Sequence, residues 1–213
     1  MINGVSFDDF HTFRDFSLVL SKKTIKTPSI KTKKVDIEGM DGVLDITDYF
    51  GEVTYENRSL SFEFTTLTNF TDFNDLFSKI QNALHGKMMK IVIDDDASYY
   101  YIGRVNVNEW KSNRRIGKIV IECDCEPYKY KKYKTIITEE IKEQRDFVLL
   151  NLRKRVIPLF KSTGELQITF GEQIYSIGIG EYTLEDVVLK EGKNILSVSG
   201  NATLTIEYQE RGL

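Results

Sequence analysis

The sequence predicts a mainly β protein in two domains: an α+β N-terminal domain, barrel-like with one helix, over 1–134, and a C-terminal β-sandwich over 135–213. Three observations carry the prediction. The run "LSFEF" sets Leu60, Phe62 and Phe64 on one face of a strand and Ser61 and Glu63 on the other, a period of two. A single stretch, "TDFNDLFSKIQNALHG", places Phe73, Leu76, Phe77, Ile80 and Leu84 at helical spacing. After Arg145 come short apolar runs separated by Gly, Asn or charged turns, the pattern of a compact sandwich.

In chain order, "GMDG" brackets a tight reversal between strands, because Gly39 and Gly42 supply positive φ at little steric cost. The segments around Leu18 to Val35 and Leu60 to Phe64 read as edge-capable strands. The helix spans about 71–85, capped at its start by Thr71 or Asp72 and at its end by Gly86, and lays its apolar stripe over a sheet or barrel mouth. "KMMKIVIDDDASYYYIGRVNVNEW" reads as two strands joined at Asp94 to Ser98, and "IGKIVIECDCEPYKY" as a third. The charged stretch Lys131 to Arg145 lacks strong periodicity and is expected to hold the domain link. Beyond it "FVLLNL", "VIPLF", "ELQITF", "QIYSIGIG", "NILSVSG" and "ATLTIEYQ" are the sandwich strands, with Pro158 on an edge or at a bulge.

Composition excludes several classes. At 41% hydrophobic and 12% aromatic residues with few prolines, the chain has the material for real cores, which rules out a disordered or collagen-like protein. A net charge of −3, with neither side of Lys134 strongly basic, disfavours a DNA binder that works by counterion release. The N-terminus lacks an apolar core of signal-peptide length and no run of about 18 apolar residues occurs, so the expectation is a protein used without Sec-type export. The excess of Lys over Arg, with frequent Ile and Tyr, fits AT-rich coding in a bacterium or phage.

Catalytic constellations are thin. Cys123, Cys125, His11 and His85 would suffice for a tetrahedral zinc, yet Cys-x-Cys on a strand puts both thiols on one face, most simply as small core residues. His85, beside Gly86, reads as a helix-end residue. Asp94, Asp95 and Asp96 lack the spaced ligands of a calcium loop and read as a solvated hairpin tip. No metal, cofactor or enzymatic activity is expected. Six lysines and no acid lie between Ser21 and Lys34: Lys22, Lys23, Lys26, Lys31, Lys33 and Lys34. They are either an assembly or polyanion contact or a charge-protected edge. Arg153, Lys154 and Arg155 in "NLRKR" are read the same way.

Several motifs recur in a fixed order. Ile37-Glu38-Gly39-Met40-Asp41-Gly42-Val43-Leu44-Asp45 is followed by Tyr55 to Arg58 with Leu60, Phe62 and Phe64. Leu84 to Lys87 ("LHGK"), Tyr100 to Val105 ("YYIGRV") and Cys125 to Tyr128 ("CEPY") come next, then Gly192 to Leu196 and the terminal "TIEYQERGL". In order and spacing these resemble the distal tail protein family of siphophages and prophages, over nearly the whole chain.

The resemblance implies a homo-hexameric ring at the virion tail tip, made in the bacterial host cytoplasm. N-terminal domains would surround a channel through which DNA passes without sequence-specific binding, and galectin-like sandwiches would project outward. Its partners would be the tail tube protein, the tail-tip hub protein and receptor-binding components. A second reading, from another class, is a carbohydrate-binding protein that stacks a host-surface saccharide on Tyr175 or Tyr182 of the sandwich; the only tryptophan, Trp110, lies in the first domain. The second domain is short and lacks the long insertions that carry sugar-binding modules in some relatives.

Overall fold

The computed structural model describes residues 3–49, 51–66, 73–112 and 116–213. The chain divides into two compact units, Met1–Lys129 with Leu213 and Tyr130–Gly212.

The first unit comprises β1 (Val5–Phe7), β2 (Phe10–His11), α1 (Thr12–Phe16), β3 (Leu18–Ile25), β4 (Lys34–Val35), β5 (Leu44–Asp45), β6 (Arg58–Thr66), α2 (Phe73–Leu84), β7 (Met88–Ile93), β8 (Tyr99–Ser112) and β9 (Gly117–Cys125). Its main sheet runs β2-β1-β7-β8-β9-β6-β3. The alternation of β6 is realised in full: Leu60, Phe62 and Phe64 are completely buried while Ser61 and Glu63 face away. One expected edge is not an edge. Leu60–Phe64 pairs with β3 on one side and β9 on the other, because a strand with this much buried apolar surface is best covered in the sheet interior. Only β3 of the two lies at the sheet's end.

Helix α2 covers one face of this sheet. Ile80 and Leu84 are fully buried, and burial contributes roughly 2 kcal/mol for each side chain. Phe73 and Phe77 bracket Trp110, with ring centroids 5.5 and 5.2 Å away. The expected cap residues Thr71 and Asp72 lie outside the described residues. At the other end Gly86 adopts φ +78 and donates its amide to the Val105 carbonyl at 2.8 Å. Lys87 Nζ donates to the Asn82 and Ala83 carbonyls at 3.0 and 2.7 Å, so a cation meets the negative end of the helix. The five-residue α1 was not evident from apolar spacing.

The "GMDG" reversal is wider than expected. Gly39 and Gly42 do have positive φ, +84 and +80, but they sit in a loop of residues 36–43 between two-residue strands.

The second unit begins within β10 (Lys129–Lys131), which pairs with β19 (Arg211–Gly212). Between them lie β11 (Thr135–Ile141), β12 (Gln144–Asn151), β13 (Leu159–Ser162), β14 (Leu166–Phe170), β15 (Gln173–Ile177), β16 (Gly180–Thr183), β17 (Gly192–Gly200) and β18 (Ala202–Tyr208). Two antiparallel sheets, β11-β18-β13-β16 and β12-β17-β14-β15, share one apolar core that includes Phe160, Ile206, Leu149, Ile168 and Val198. This is a β-sandwich. The stretch read as aperiodic holds β11, paired along its whole length with β18; its polar residues mask an alternation that ends in the buried Ile141. Pro158 precedes β13, a central rather than an edge strand, at a position where no ladder amide is required.

Candidate assembly interface

The six lysines fall in three places. Lys22 and Lys23 are on the exposed part of β3; Lys26 and Lys31 follow it; Lys33 and Lys34 enter the β4–β5 hairpin. They are not a bare cationic patch, because acids from elsewhere reach them. Lys22 Nζ lies 3.3 Å from Glu63, Lys31 3.9 Å from Glu56, and Lys23 pairs closely with Asp95. Lys34 is paired in register with Asp45. The Thr47 hydroxyl and amide hold the Asp45 carboxyl below its ordinary value, and Lys34 adds a smaller pull. The basic triplet of the second unit is engaged too: Arg153 Nη1 donates to Glu191 at 2.7 Å.

The candidate chemical groups have structural roles. Cys123 and Cys125 point into the core from β9. Burial pushes both thiols up, Cys125 to about 12 with Asp124 adding to the effect, so neither supplies a thiolate at neutral pH. His85 Nδ1 accepts the Val107 amide at 3.1 Å, beside a bulge in the β8–β9 ladder. His11 Nδ1 accepts from the Phe13 and Arg14 amides and caps α1, while its Nε2 lies 3.1 Å from Asp94. The three aspartates of the 3-10 turn diverge, Asp94 to Gly4 and His11, Asp95 to Lys23 and Asp96 to Lys129. Among the described residues no cluster of three or more His, Cys, Asp or Glu is placed to hold a metal.

What sequence reading missed is that motif residues far apart in the chain converge. Gly103 of "YYIGRV" is registered against Cys125 of "CEPY", and a Cβ on Gly103 would lie 2.4 Å from the Cys125 sulfur. Arg58 is buried with its guanidinium 5.4 Å from the Tyr101 ring centroid, and Tyr55 meets Tyr128 edge to face at 5.9 Å. Arg104 of the same motif donates to the Gly86 carbonyl of "LHGK" at 2.6 Å. In the second unit the buried Asn194 holds the turn before β17, accepting from the Lys190 amide and donating to its carbonyl, both at 2.8 Å. The only advance signal was polar and glycine residues inside strand-like runs. These clusters fix backbone geometry and expose no reacting group.

On the sandwich, Tyr175 and Tyr182 are half-buried against the core rather than displayed. A groove of about 610 Å³ is lined by Glu165, Gln167, Ser176 and Ser199 among others, with no aromatic ring among its described lining residues. No helix among the described residues is long and apolar enough to cross a membrane.

No family model matches this chain, and no curated protein matches it in sequence. Among solved structures it is similar to the crystal structure of SPP1 Dit (gp 19.1), described as a paradigm of the hub adsorption apparatus in phages infecting Gram-positive bacteria. The TM-score is 0.71 at 14% identity, covering 98% of this chain and 99% of that one. The solution structure of a de novo designed double-stranded β-helix matches 37% of this chain and 100% of its own at 14% identity, but with a TM-score of 0.27 it carries no argument. The chain thus has the mainly β fold of SPP1 Dit from end to end.

Proposed function

We propose that this chain is a non-enzymatic structural subunit of a phage or prophage tail tip. Six copies close a ring through their N-terminal units, around a channel that passes DNA without reading its sequence. Galectin-like C-terminal sandwiches project outward. The ring joins the tail tube to the tail-tip hub and carries receptor-binding components. It is made in the host cytoplasm and resides in the virion, with no cofactor. The observation that carries this reading is the likeness to SPP1 Dit across both whole chains. Support comes from the placement of the soft ligands and clustered acids, which are committed to caps, core and turns.

A head-to-tail ring also suits the open edge at β3, since cyclic closure covers such an edge without generating a filament. Negative-stain imaging of the purified protein at high concentration tests the assignment. Six-fold rings with a central hole are expected; a strict monomer at every concentration, or a two-fold dimer, would overturn it.

A further inference from the structure

The outer face of the β12-β17-β14-β15 sheet carries a polar row that the fold itself leaves unused. Ser199 on β17, Gln167 on β14 and Ser176 on β15 stand side by side in register, so their side chains share one face. Three strands at ordinary spacing make this row roughly 10 Å wide. With Glu165, just before β14, these residues line the groove of about 610 Å³. Among the described residues, none of the four polar side chains bonds another protein group. Polar rows elsewhere on the sandwich are engaged: Thr138 Oγ1 lies 2.9 Å from Thr205 Oγ1, and Lys161 Nζ lies 3.1 Å from Glu181 and 3.0 Å from Glu207. Even Gln144, registered opposite Ser199, turns to donate to Ser197 at 3.0 Å.

The lining selects its ligand by elimination. Glu165 is the single charged side chain among the described lining residues, so a phosphate or other anion would meet repulsion and no cation. Leu166 and Ile177 also line the groove, but at 2% and 3% exposure they belong to the core and are closed to a lipid chain. The polar groups that remain are two hydroxyls, an amide that both donates and accepts, and a carboxylate that accepts. A molecule presenting hydroxyls at successive positions matches that set, and the volume falls in the range of small-molecule sites. Tyr175 is registered with the buried Ile168, which puts it on the opposite face of the sheet. The groove is therefore separate from any site that would stack a sugar on that ring.

We propose that this groove binds a neutral saccharide by hydrogen bonding alone, with Gln167 at its centre, Ser176 and Ser199 on either side, and Glu165 accepting from sugar hydroxyls. Such a site is weak, with a Kd on the order of 1 mM, because each hydrogen bond to the sugar replaces one to water and no stacking adds to it. Ring formation plays no part in this binding, which belongs to the second unit alone.

The test is an amide-resolved NMR titration of the full chain with maltose, cellobiose, lactose and chitobiose in turn, and with glycerol phosphate as the anionic probe. At least one of the sugars should shift the amides of Gln167, Ser176 and Ser199 in a saturable way, and glycerol phosphate should not. Gln167→Ala with Ser176→Ala should weaken that binding at least fivefold while amides elsewhere keep their positions, because both side chains are exposed and outside the core. Tyr175→Phe, on the opposite face, should leave the affinity unchanged. No saturable shift with any of the sugars, shifts that gather around Tyr175 and Tyr182, or equal binding by the double variant would each overturn the proposal. Preference for glycerol phosphate would make the groove an anion site and overturn it as well.

Discussion

His11 Nε2 lies 3.1 Å from Asp94 Oδ2, joining the strand pair at the N-terminus to the turn after β7. Backbone amides of Phe13 and Arg14 donate to Nδ1, so Nδ1 carries no proton and Nε2 is the donor to the carboxylate. Asp94 Oδ2 also accepts the Gly4 amide at 2.7 Å, and a Cβ at Gly4 would stand 2.6 Å from the imidazole. One ring therefore caps a helix, anchors a turn and fills the space a glycine leaves.

His11→Ala removes the cap and leaves Asp94 short of a donor, and should destabilise the protein by about 2 kcal/mol. His11→Asn keeps a capping oxygen and should recover part of the loss. Urea unfolding of both variants checks this; equal stability of His11→Ala and the native protein would dismiss the role.

The buried thiols give a pH dependence with a definite sign. Cys125 is raised in the folded protein from its ordinary 9.0 to about 12, and Cys123 is raised as well, in both cases chiefly by burial. The folded state thus keeps protons that the unfolded chain releases. Their stabilising contribution is complete below about pH 9 and declines as pH rises toward 12, by at most ~1.4 kcal/mol per pH unit for each thiol. Unfolding followed from pH 8 to pH 10.5 should show this alkaline decline. The double variant Cys123→Ala/Cys125→Ala should begin about 1 to 3 kcal/mol less stable from lost packing. Its decline should be shallower; an unchanged slope would remove the thiols from the account.

How much of this could be read from residues alone depended on burial pattern. Strand β6 was legible because Leu60, Phe62 and Phe64 alternate with polar residues on a half-exposed sheet, and α2 because its five apolar positions share a face. β11 was not, since Thr135–Ile141 alternates between intermediate and exposed positions, with Ile137 partly buried against the core and Ile141 alone fully buried. Which strands were edges could not be read either: β3 buries only Leu18 while β6 alternates along its whole length, but an alternating run can sit at an edge or inside a sheet, and only the order of strands decides. For the candidate interface, the lysine run was visible, but Glu63, Asp95 and Glu56, which meet it, are brought in by the fold.

Gly103 and Gly42 are both glycines in sequence motifs, but for different reasons, and substitution separates them. At Gly103 an added methyl meets the Cys125 sulfur at 2.4 Å and the Asp124 carbonyl at 2.7 Å, backbone that cannot yield. Gly103→Ala should cost about 3 kcal/mol, or prevent folding. At Gly42 space is open and only the φ of +80 matters, so Gly42→Ala should cost about 1 kcal/mol locally. Comparable thermal shifts for the two would contradict this division.

Limited proteolysis tests the division into units together with the exposure of the Lys26–Lys34 segment. Trypsin needs about ten residues of locally extended chain, so it selects basic residues whose surroundings open at little cost. Lys26 to Lys34 qualify, since their neighbours are exposed and their backbone rungs are few. Lys132 and Lys134 qualify next: they are exposed and fall between β10 and β11, near the point where one unit gives way to the other. Lys142 and Arg145 flank the tight turn between two fully paired strands and should resist. In dilute solution the first cuts are therefore expected within Lys26–Lys34, followed by cleavage at Lys132 or Lys134 that yields a stable C-terminal fragment, both read by intact-mass spectrometry. Early cleavage at Lys142 or Arg145, or survival of Lys26–Lys34 after Lys132 is cut, would show that local stability does not follow burial in this chain.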